Sequence, residues 1–232
     1  MLWVWHRVCI LIRTMPRKNR SDYIFDNCVV HARIQINNGD FRFSTDQHFK
    51  MWKKIAHTYL IKYPTVKITG YIWMSNHCHL TMEVGKAVDL SNFMHDMTWR
   101  YALTYNKLNG RKGHFFQQRF RCSVIDRDEY EKIAQRYIYR NQVRAGMVKY
   151  VGKSKWSSYA YYAYGKPDPL ITPFRTYASF GLHKKKRMAE FRQFVETMTL
   201  REEYEWKQRL SHPVLKSKRD VMKTYLMSYG AG

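Results

Sequence analysis

The chain has 232 residues, and its 41 lysines and arginines against 18 aspartates and glutamates give a formal net charge of +23. Hydrophobic residues make up 45% and aromatic residues 16%, which excludes a disordered chain because such chains lack the apolar surface that offsets conformational entropy. No run of about 18 apolar residues occurs, so a membrane-spanning helix is not expected. The four cysteines form no C-x-x-C pair, which argues against a disulfide framework or a zinc ribbon and favours the reducing cytoplasm.

The charge predicts a polyanionic partner, because a compact domain with a net charge of +23 repels itself. Nucleic acid is the first candidate, and an anionic membrane surface is the second. The chain also contains 18 Tyr, 12 Phe and 7 Trp, many of them close to Lys or Arg. This mixture favours single-stranded nucleic acid, since unpaired bases stack on aromatic rings while phosphates pair with cations.

Strand and helix patterns alternate along the first part of the chain. Strand segments are rich in β-branched residues, whereas helical segments place apolar residues three or four positions apart. Strands are predicted at residues 28–36, 65–74, 77–84 and 119–125, and helices at residues 45–62, from 89 or 91 to 109, and 128–141. Thr45 or Asp46 is expected to cap the first helix, and Asp89 or Ser91 the second.

This order of elements predicts an α+β fold of the ferredoxin-like βαββαβ type, an antiparallel sheet with helices on one face, followed by a third helix. We expect residues 1–14 to be an N-terminal extension of uncertain role, because Met15 offers a second start. Residues 15–165 are expected to form the functional domain, and residues 166–232 a loop and a basic helical tail that begins with HKKKR. Residues 150–182 are rich in Tyr, Ser, Pro and Gly and are expected to be irregular.

The triplet His77-Cys78-His79 lies in the third predicted strand. Residues i and i+2 of a strand point to the same face, so the two imidazoles converge while Cys78 points to the core. Two neutral imidazoles side by side supply part of a metal site. The alternative interpretation is a pair of histidines that hydrogen-bond to other protein groups.

Tyr137 and Asn141 stand four residues apart in the third predicted helix and therefore share one face. The carbonyl oxygen of Asn141 could complete a metal site beside the phenolic oxygen of Tyr137. Tyr139 lies about 200° around the helix and should face elsewhere. The alternative interpretation is that Tyr137 is a core residue.

Four segments together resemble the single-tyrosine HUH transposases (the IS200-like superfamily), and within them the REP-associated tyrosine transposases. The similar segments are residues 71–80 (YIWMSNHCHL), 113–120 (GHFFQQRF), 137–148 (YIYRNQVRAGMV) and 156–159 (WSSY). They occur in the family's order and spacing over about residues 15–165. Gln142 departs from the family pattern, which usually has Pro at this position.

The resemblance implies that His77, His79 and Asn141 hold Mg²⁺ or Mn²⁺ and that Tyr137 is the catalytic nucleophile. It implies a DNA transposase that cuts and rejoins single-stranded or hairpin DNA with a palindromic stem through a 5′-phosphotyrosine intermediate. It also implies a cytoplasmic, nucleoid-associated bacterial protein that acts as a monomer or a homodimer.

The DNA is expected to lie on a basic surface beside this site. Arg119 and Arg121 alternate with Phe120, so both can face one side of a strand. The residues expected to contact DNA are Arg33, Lys112, His114, Arg119, Arg121 and Arg144.

Two other functions compete with this interpretation. The first is a DNA-binding regulator derived from such an enzyme, which would keep the basic surface without catalysis. The second is a metal-dependent nuclease or RNA-processing enzyme that uses water as its nucleophile and forms no covalent protein–DNA species.

Overall fold

The computed structural model describes residues 23–197 and residue 201. The predictions for residues 1–14 and for the tail beyond residue 201 lie outside the described residues. The strands are Cys28–Gln35 (β1), Val66–Trp73 (β2), His77–Val84 (β3) and Arg121–Ile125 (β4). The α-helices are Asp46–Lys62 (α1), Ala87–Leu108 (α2), Asp128–Arg144 (α3), Tyr159–Tyr164 (α4) and Lys184–Glu196 (α5).

The four strands form one antiparallel sheet in the order β2-β3-β1-β4. This order, with α1 after β1 and α2 after β3, confirms the predicted α+β fold. Arg33 of β1 stands opposite His79 of β3 and opposite Arg121 of β4. The two central strands therefore bring the H-x-H motif beside basic residues that lie far away in the sequence.

One face of the sheet is covered by α1 and α2 and carries an aromatic core. The ring of Trp52 lies 4.6 Å from that of Trp73 and 5.0 Å from that of Tyr101, measured between centroids. Cys78 is fully buried, as its position in the strand predicts. Because side chains alternate across a strand, His77 and His79 lie on the opposite face, against which α3 packs.

The outer edge of β2 is covered by residues 156–158, which were expected to be irregular. Trp73 N donates to Trp156 O at 3.0 Å, and Ser158 N donates to Tyr71 O at 3.0 Å. The hydroxyl of Ser158 also accepts a hydrogen bond from Tyr71 N at 2.8 Å. The segment thus satisfies backbone groups that an edge strand would otherwise leave exposed.

Helix α1 is capped as predicted, since Thr45 Oγ1 accepts a hydrogen bond from His48 N. Helix α2 begins two residues earlier than predicted, at Ala87. Ala87 N donates to Asp26 Oδ1 at 2.8 Å, while Asp89 accepts a hydrogen bond from Thr65 Oγ1. The carboxylate that accepts this hydrogen bond at the N-terminus of α2 belongs to Asp26, which is remote in sequence. A local capping pattern therefore places the start of α2 too late.

Residues 166–197 continue the packed body on the outer side of α3. Phe174, Phe191 and Val195 are buried. Arg140 of α3 donates to the carbonyls of Val195 and Glu196 at the C-terminus of α5, at 3.3 and 3.0 Å. A guanidinium at this end satisfies carbonyls that have no partner within the helix and complements the helix dipole. No helix within the described ranges is long and apolar enough to cross a membrane.

Helix α3 is anchored to the sheet by Gln135. Its Nε2 donates to Thr81 Oγ1 at 2.9 Å and to Thr69 O at 3.3 Å, and the side chain is fully buried. Gly70, which follows Thr69 in β2, lies at a register shift between β2 and β3. A Cβ on Gly70 would overlap Gln135 Oε1 and lie 2.6 Å from Thr81 Oγ1. The missing side chain of Gly70 therefore permits the close approach of α3.

We expect Gly70→Ala to destabilise the protein by about 1–3 kcal/mol, because the added methyl group overpacks the contact with α3. Chemical denaturation measures the change in the free energy of unfolding. Gln135→Ala should remove part of the clash, so the double variant should be less destabilised than the sum of the single variants. Additive effects of the two substitutions would show that α3 is not held at this contact.

Candidate active site

Tyr137 of α3 faces a group of histidine rings on the sheet. Its ring centroid lies 6.0 Å from that of His79 and 6.1 Å from that of His31, and both pairs have edge-to-face geometry. Its ring is close to His79 because α3 is held against β2 and β3 on this face. The structure therefore brings together Tyr137 and the H-x-H motif, which are almost 60 residues apart in the sequence.

Both histidines of the motif use Nδ1 for a hydrogen bond within the protein. His77 Nδ1 lies 2.6 Å from Asn76 Oδ1, and His79 Nδ1 lies 2.9 Å from His31 Nε2. The amide of Asn76 is oriented by its own donation to Gly39 O at 3.3 Å, so its oxygen faces His77. His77 Nδ1 consequently carries the proton, and its Nε2 keeps a lone pair.

The three imidazoles are neutral at neutral pH. Burial, together with a smaller effect of the nearby charge of Arg33, lowers the pKa of His31 to about 3 and that of His77 to about 4. Burial also lowers the pKa of His79 well below its usual value, with contributions from the neighbouring histidines and from Arg33 and Arg144. Neutral imidazole is the form that binds metal ions.

Cations surround the histidines and Tyr137. The guanidinium carbon of Arg144 lies 4.2 Å from the ring centroid of Tyr137, within the range of a cation–π interaction. Arg33 is partly buried in the sheet, where it affects the histidine pKa values, and Arg121 stands opposite it on β4 with an exposed side chain. The site thus combines uncharged nitrogen donors with permanent positive charge, an arrangement suited to a phosphodiester.

Asn141 lies one turn after Tyr137, and its described hydrogen bonds stay on α3. Its amide nitrogen donates to Tyr137 O at 3.0 Å and to Ile138 O at 3.2 Å, while its oxygen accepts from Arg144 at 2.8 Å. The structure thus places Asn141 one helical turn from the nucleophile candidate, with its amide bonded to α3 and to Arg144.

Tyr139 lies on another face of α3 from Tyr137. Its hydroxyl lies 2.8 Å from Ser158 Oγ, the ring is fully buried, and burial raises the pKa of its phenol. The two tyrosines of the Tyr-Ile-Tyr sequence therefore have different surroundings, one beside histidines and arginines and the other in the core.

The loop between α2 and β4 carries three of the residues expected to bind DNA, Lys112, His114 and Arg119, and all three are exposed. Two backbone hydrogen bonds attach the loop to the end of β1, from Gln117 N to Gln35 O at 3.0 Å and from Asn37 N to Phe115 O at 2.9 Å. Gln35 stands opposite His77 in the sheet. The loop consequently borders the end of the sheet where the H-x-H motif begins.

His31 is a site residue that the sequence analysis did not identify. It is buried on β1 and lies in the same alternating series as Arg33. That alternation shows that the two residues share a face, but only the register of β1 against β3 places His31 beside His79.

The donors of this site fit a divalent cation of the kind that imidazoles and amide oxygens bind. Within the residues that the structure describes, no cluster of three or more His, Cys, Asp or Glu side chains is arranged to hold a metal. His77 and His79 nevertheless lie on one face with their Nδ1 atoms engaged, and Asn141 lies within one helical turn of Tyr137. An Asn141 oxygen that binds the cation would share or give up the hydrogen bond that it accepts from Arg144.

Comparison with solved structures finds a protein with the same fold. A REP-associated tyrosine transposase bound to a REP hairpin has the same fold, with a TM-score of 0.56 and 20% sequence identity over 69% of this chain and 96% of that chain. The tRNA(His) guanylyltransferase of Saccharomyces cerevisiae matches with a TM-score of 0.40 and 13% identity, over 91% of this chain and 83% of that chain. No curated protein gives a significant match.

The model of the family described as IS200-like transposases matches residues 25–141. The match covers just over half of the chain and includes the whole sheet, the H-x-H motif, Tyr137 and Asn141. The chain therefore belongs to the IS200-like transposase family, whose members are DNA-processing enzymes.

Proposed function

We propose that this chain is a metal-dependent endonuclease and strand transferase that acts on single-stranded or hairpin DNA through a 5′-phosphotyrosine bond to Tyr137. The observation that carries the proposal is the position of the Tyr137 ring, 6.0 Å from the ring of His79 and 4.2 Å from the guanidinium of Arg144. This arrangement supports the proposal because it would bring a nucleophile, nitrogen ligands and a phosphate-binding cation close together.

His77, His79 and Asn141 would hold Mg²⁺ or Mn²⁺. A divalent cation in such a site withdraws charge from a phosphate oxygen and orients the phosphodiester. The protein's part is to keep both imidazoles neutral by burial and to fix the ring of His77 through Asn76. Partners of this kind that orient a ligand typically matter for metal affinity.

Tyr137 would attack the phosphorus in line with the bond to the 3′ oxygen. A bond forms between the phenolic oxygen and phosphorus, the bond to the 3′ oxygen breaks, and the proton lost by the phenol balances the proton gained by the leaving 3′ hydroxyl. The phosphotyrosine conserves the energy of the phosphodiester, so another 3′ end can displace Tyr137 without ATP.

The DNA would lie along the basic rim formed by Arg121, Arg144 and the loop between α2 and β4. Arg33 stands inside this rim beside the histidines. The solved transposase of the same fold binds a REP hairpin, which supports a hairpin as the substrate. Phosphate contacts of this kind position the backbone, and aromatic or base-edge contacts would provide sequence preference.

Tyr137→Phe should abolish DNA cleavage and the covalent adduct together, because it removes only the phenolic oxygen. The phenyl ring remains available to Arg144, so binding to hairpin DNA should change by less than about 1 kcal/mol, the net size of one hydrogen bond. A denaturing gel with end-labelled hairpin DNA and Mg²⁺ measures cleavage and adduct, and fluorescence anisotropy measures binding.

Tyr139→Phe is the matched control, since it removes the same atom from a tyrosine that faces Ser158 instead of the histidines. It should lower stability by about 1 kcal/mol and leave cleavage largely intact. Cleavage by the Tyr137 variant would mean that water or another residue is the nucleophile. Tight binding by the wild type without any adduct would instead favour a non-catalytic DNA-binding regulator, for which the bond between Asn141 and Arg144 is the supporting observation.

His77→Ala, His79→Ala and Asn141→Ala should each weaken Mn²⁺ binding by at least about tenfold and abolish cleavage while the fold persists. Calorimetric titration with Mn²⁺ measures the affinity, and circular dichroism monitors the fold. His57→Ala, on the exposed side of α1, removes a histidine remote from the site and should leave both affinity and cleavage unchanged. Unchanged Mn²⁺ affinity in the His77/His79 double variant would eliminate the metal site.

Binding to hairpin DNA should depend strongly on salt. If five to seven phosphates are neutralised, the logarithm of the association constant should fall with a slope of roughly −3.5 to −5 against the logarithm of salt concentration, from about −0.7 per contact. Arg119→Ala and Arg121→Ala should each reduce the slope by less than about one unit. Lys54→Ala, an exposed lysine on α1, is the control of equal charge. A slope near zero would contradict an electrostatic DNA interface.

A further inference from the structure

A third imidazole, His31, lies beside the two predicted metal ligands and is 2% exposed. Its ring is nearly parallel to that of His79, with an angle of 9° between the ring planes and 5.0 Å between centroids. His31 Nε2 lies 2.9 Å from His79 Nδ1, which is hydrogen-bonding distance. The proposed strand-transfer steps do not themselves use this contact between His31 and His79.

The backbone leaves His31 little freedom to move. It lies in β1, which pairs with β3 on one side and β4 on the other, with Thr81 and Ser123 as its register partners. The bond to His79 therefore runs diagonally across neighbouring strands on one face of the sheet. β1 therefore restricts the ring of His31, and the hydrogen bond with His31 restricts the ring of His79.

A hydrogen bond between two imidazole nitrogens needs one donor and one acceptor, so it couples the tautomer of one ring to that of the other. If His79 binds a cation through Nε2, its proton must be on Nδ1, which then donates to His31 Nε2. His77 has the equivalent arrangement, since its Nδ1 donates to the amide oxygen of Asn76. Each predicted ligand thus has a separate partner at Nδ1, and both leave Nε2 for the cation.

We propose that His31 is a positioning residue that accepts the hydrogen bond from His79 Nδ1 and thereby holds the tautomer and ring orientation in which His79 Nε2 binds the divalent cation. The inference rests on the proposed function. Loss of the hydrogen-bond partner of a metal ligand typically lowers metal affinity by about ten- to hundredfold. We expect a loss in this range when His31 is replaced.

His31→Leu removes the acceptor and retains a buried side chain, whereas His31→Gln retains an acceptor oxygen. His31→Leu should weaken Mn²⁺ binding by about ten- to hundredfold, and His31→Gln should recover much of that loss. Ser123→Ala, a substitution at the register partner of His31 on β4, should leave the affinity unchanged. Calorimetric titration with Mn²⁺ compares the four proteins, and circular dichroism verifies that each is folded.

Long-range ¹H–¹⁵N NMR of the imidazoles, recorded without metal, tests the positioning role directly. In the wild type, His79 should be the Nδ1–H tautomer, and His31→Leu should convert part of it to the Nε2–H tautomer. A merely structural role would lower stability without changing the tautomer. This spectrum decides the question in the wild-type protein even if a variant fails to fold, because an Nε2–H tautomer of His79 there overturns the inference.

The two proposals fail in different ways. Equal Mn²⁺ affinity in the wild type and in His31→Leu overturns the positioning role alone. Three imidazole nitrogens bound to Mn²⁺ by electron spin-echo spectroscopy, instead of two, would make His31 a ligand and also overturn it. A wild-type protein that binds no Mn²⁺ overturns the metal-dependent function and the inference together.

Discussion

Two buried glutamines of α3 hydrogen-bond to the backbone of β2, and the geometry of the site depends on these bonds. Gln135 donates to Thr69 O, and Gln142 donates to Trp73 O at 2.7 Å. Tyr137 lies between them on the helix. A buried amide left without its partner costs about 1–3 kcal/mol, so both ends of this helical segment are held in place. Gln142 occupies the position where the resemblance to the transposases predicts Pro, and here it contributes a hydrogen bond that Pro cannot make.

The site combines neutral histidines with positively charged arginines, and the two residue types differ in their electrostatic role. Burial lowers the pKa of each histidine so far that the ring is neutral at neutral pH. Arginine keeps its charge under the same conditions because its reference pKa lies far above neutral, although burial lowers the pKa of Arg33. Under the proposed function, Arg33 and Arg144 would attract a phosphate while the imidazoles would keep their lone pairs for a cation. The positive charge of the arginines also keeps the histidines unprotonated.

Ser158 links the edge of β2 to α3. Its hydroxyl accepts a hydrogen bond from Tyr71 N at the edge of the sheet and lies 2.8 Å from the hydroxyl of Tyr139. The buried Tyr139 is thereby fixed on the outer side of the helix, and Tyr137 is left to face the histidines. The WSSY segment thus covers the edge of β2 and also contacts the helix that carries Tyr137.

The element order, the convergence of His77 and His79, and the different faces of Tyr137 and Tyr139 could all be predicted from the sequence. These features follow from the periods of about two residues in a strand and 3.6 in a helix, which are local. Three contacts could be established only from the tertiary structure. His31 hydrogen-bonds to His79, Asp26 accepts a hydrogen bond from the first residue of α2, and Asn141 accepts one from Arg144. The first two contacts depend on strand register and on chain segments remote in sequence. The third depends on which of several neighbours an amide side chain selects, and helical spacing does not specify that choice.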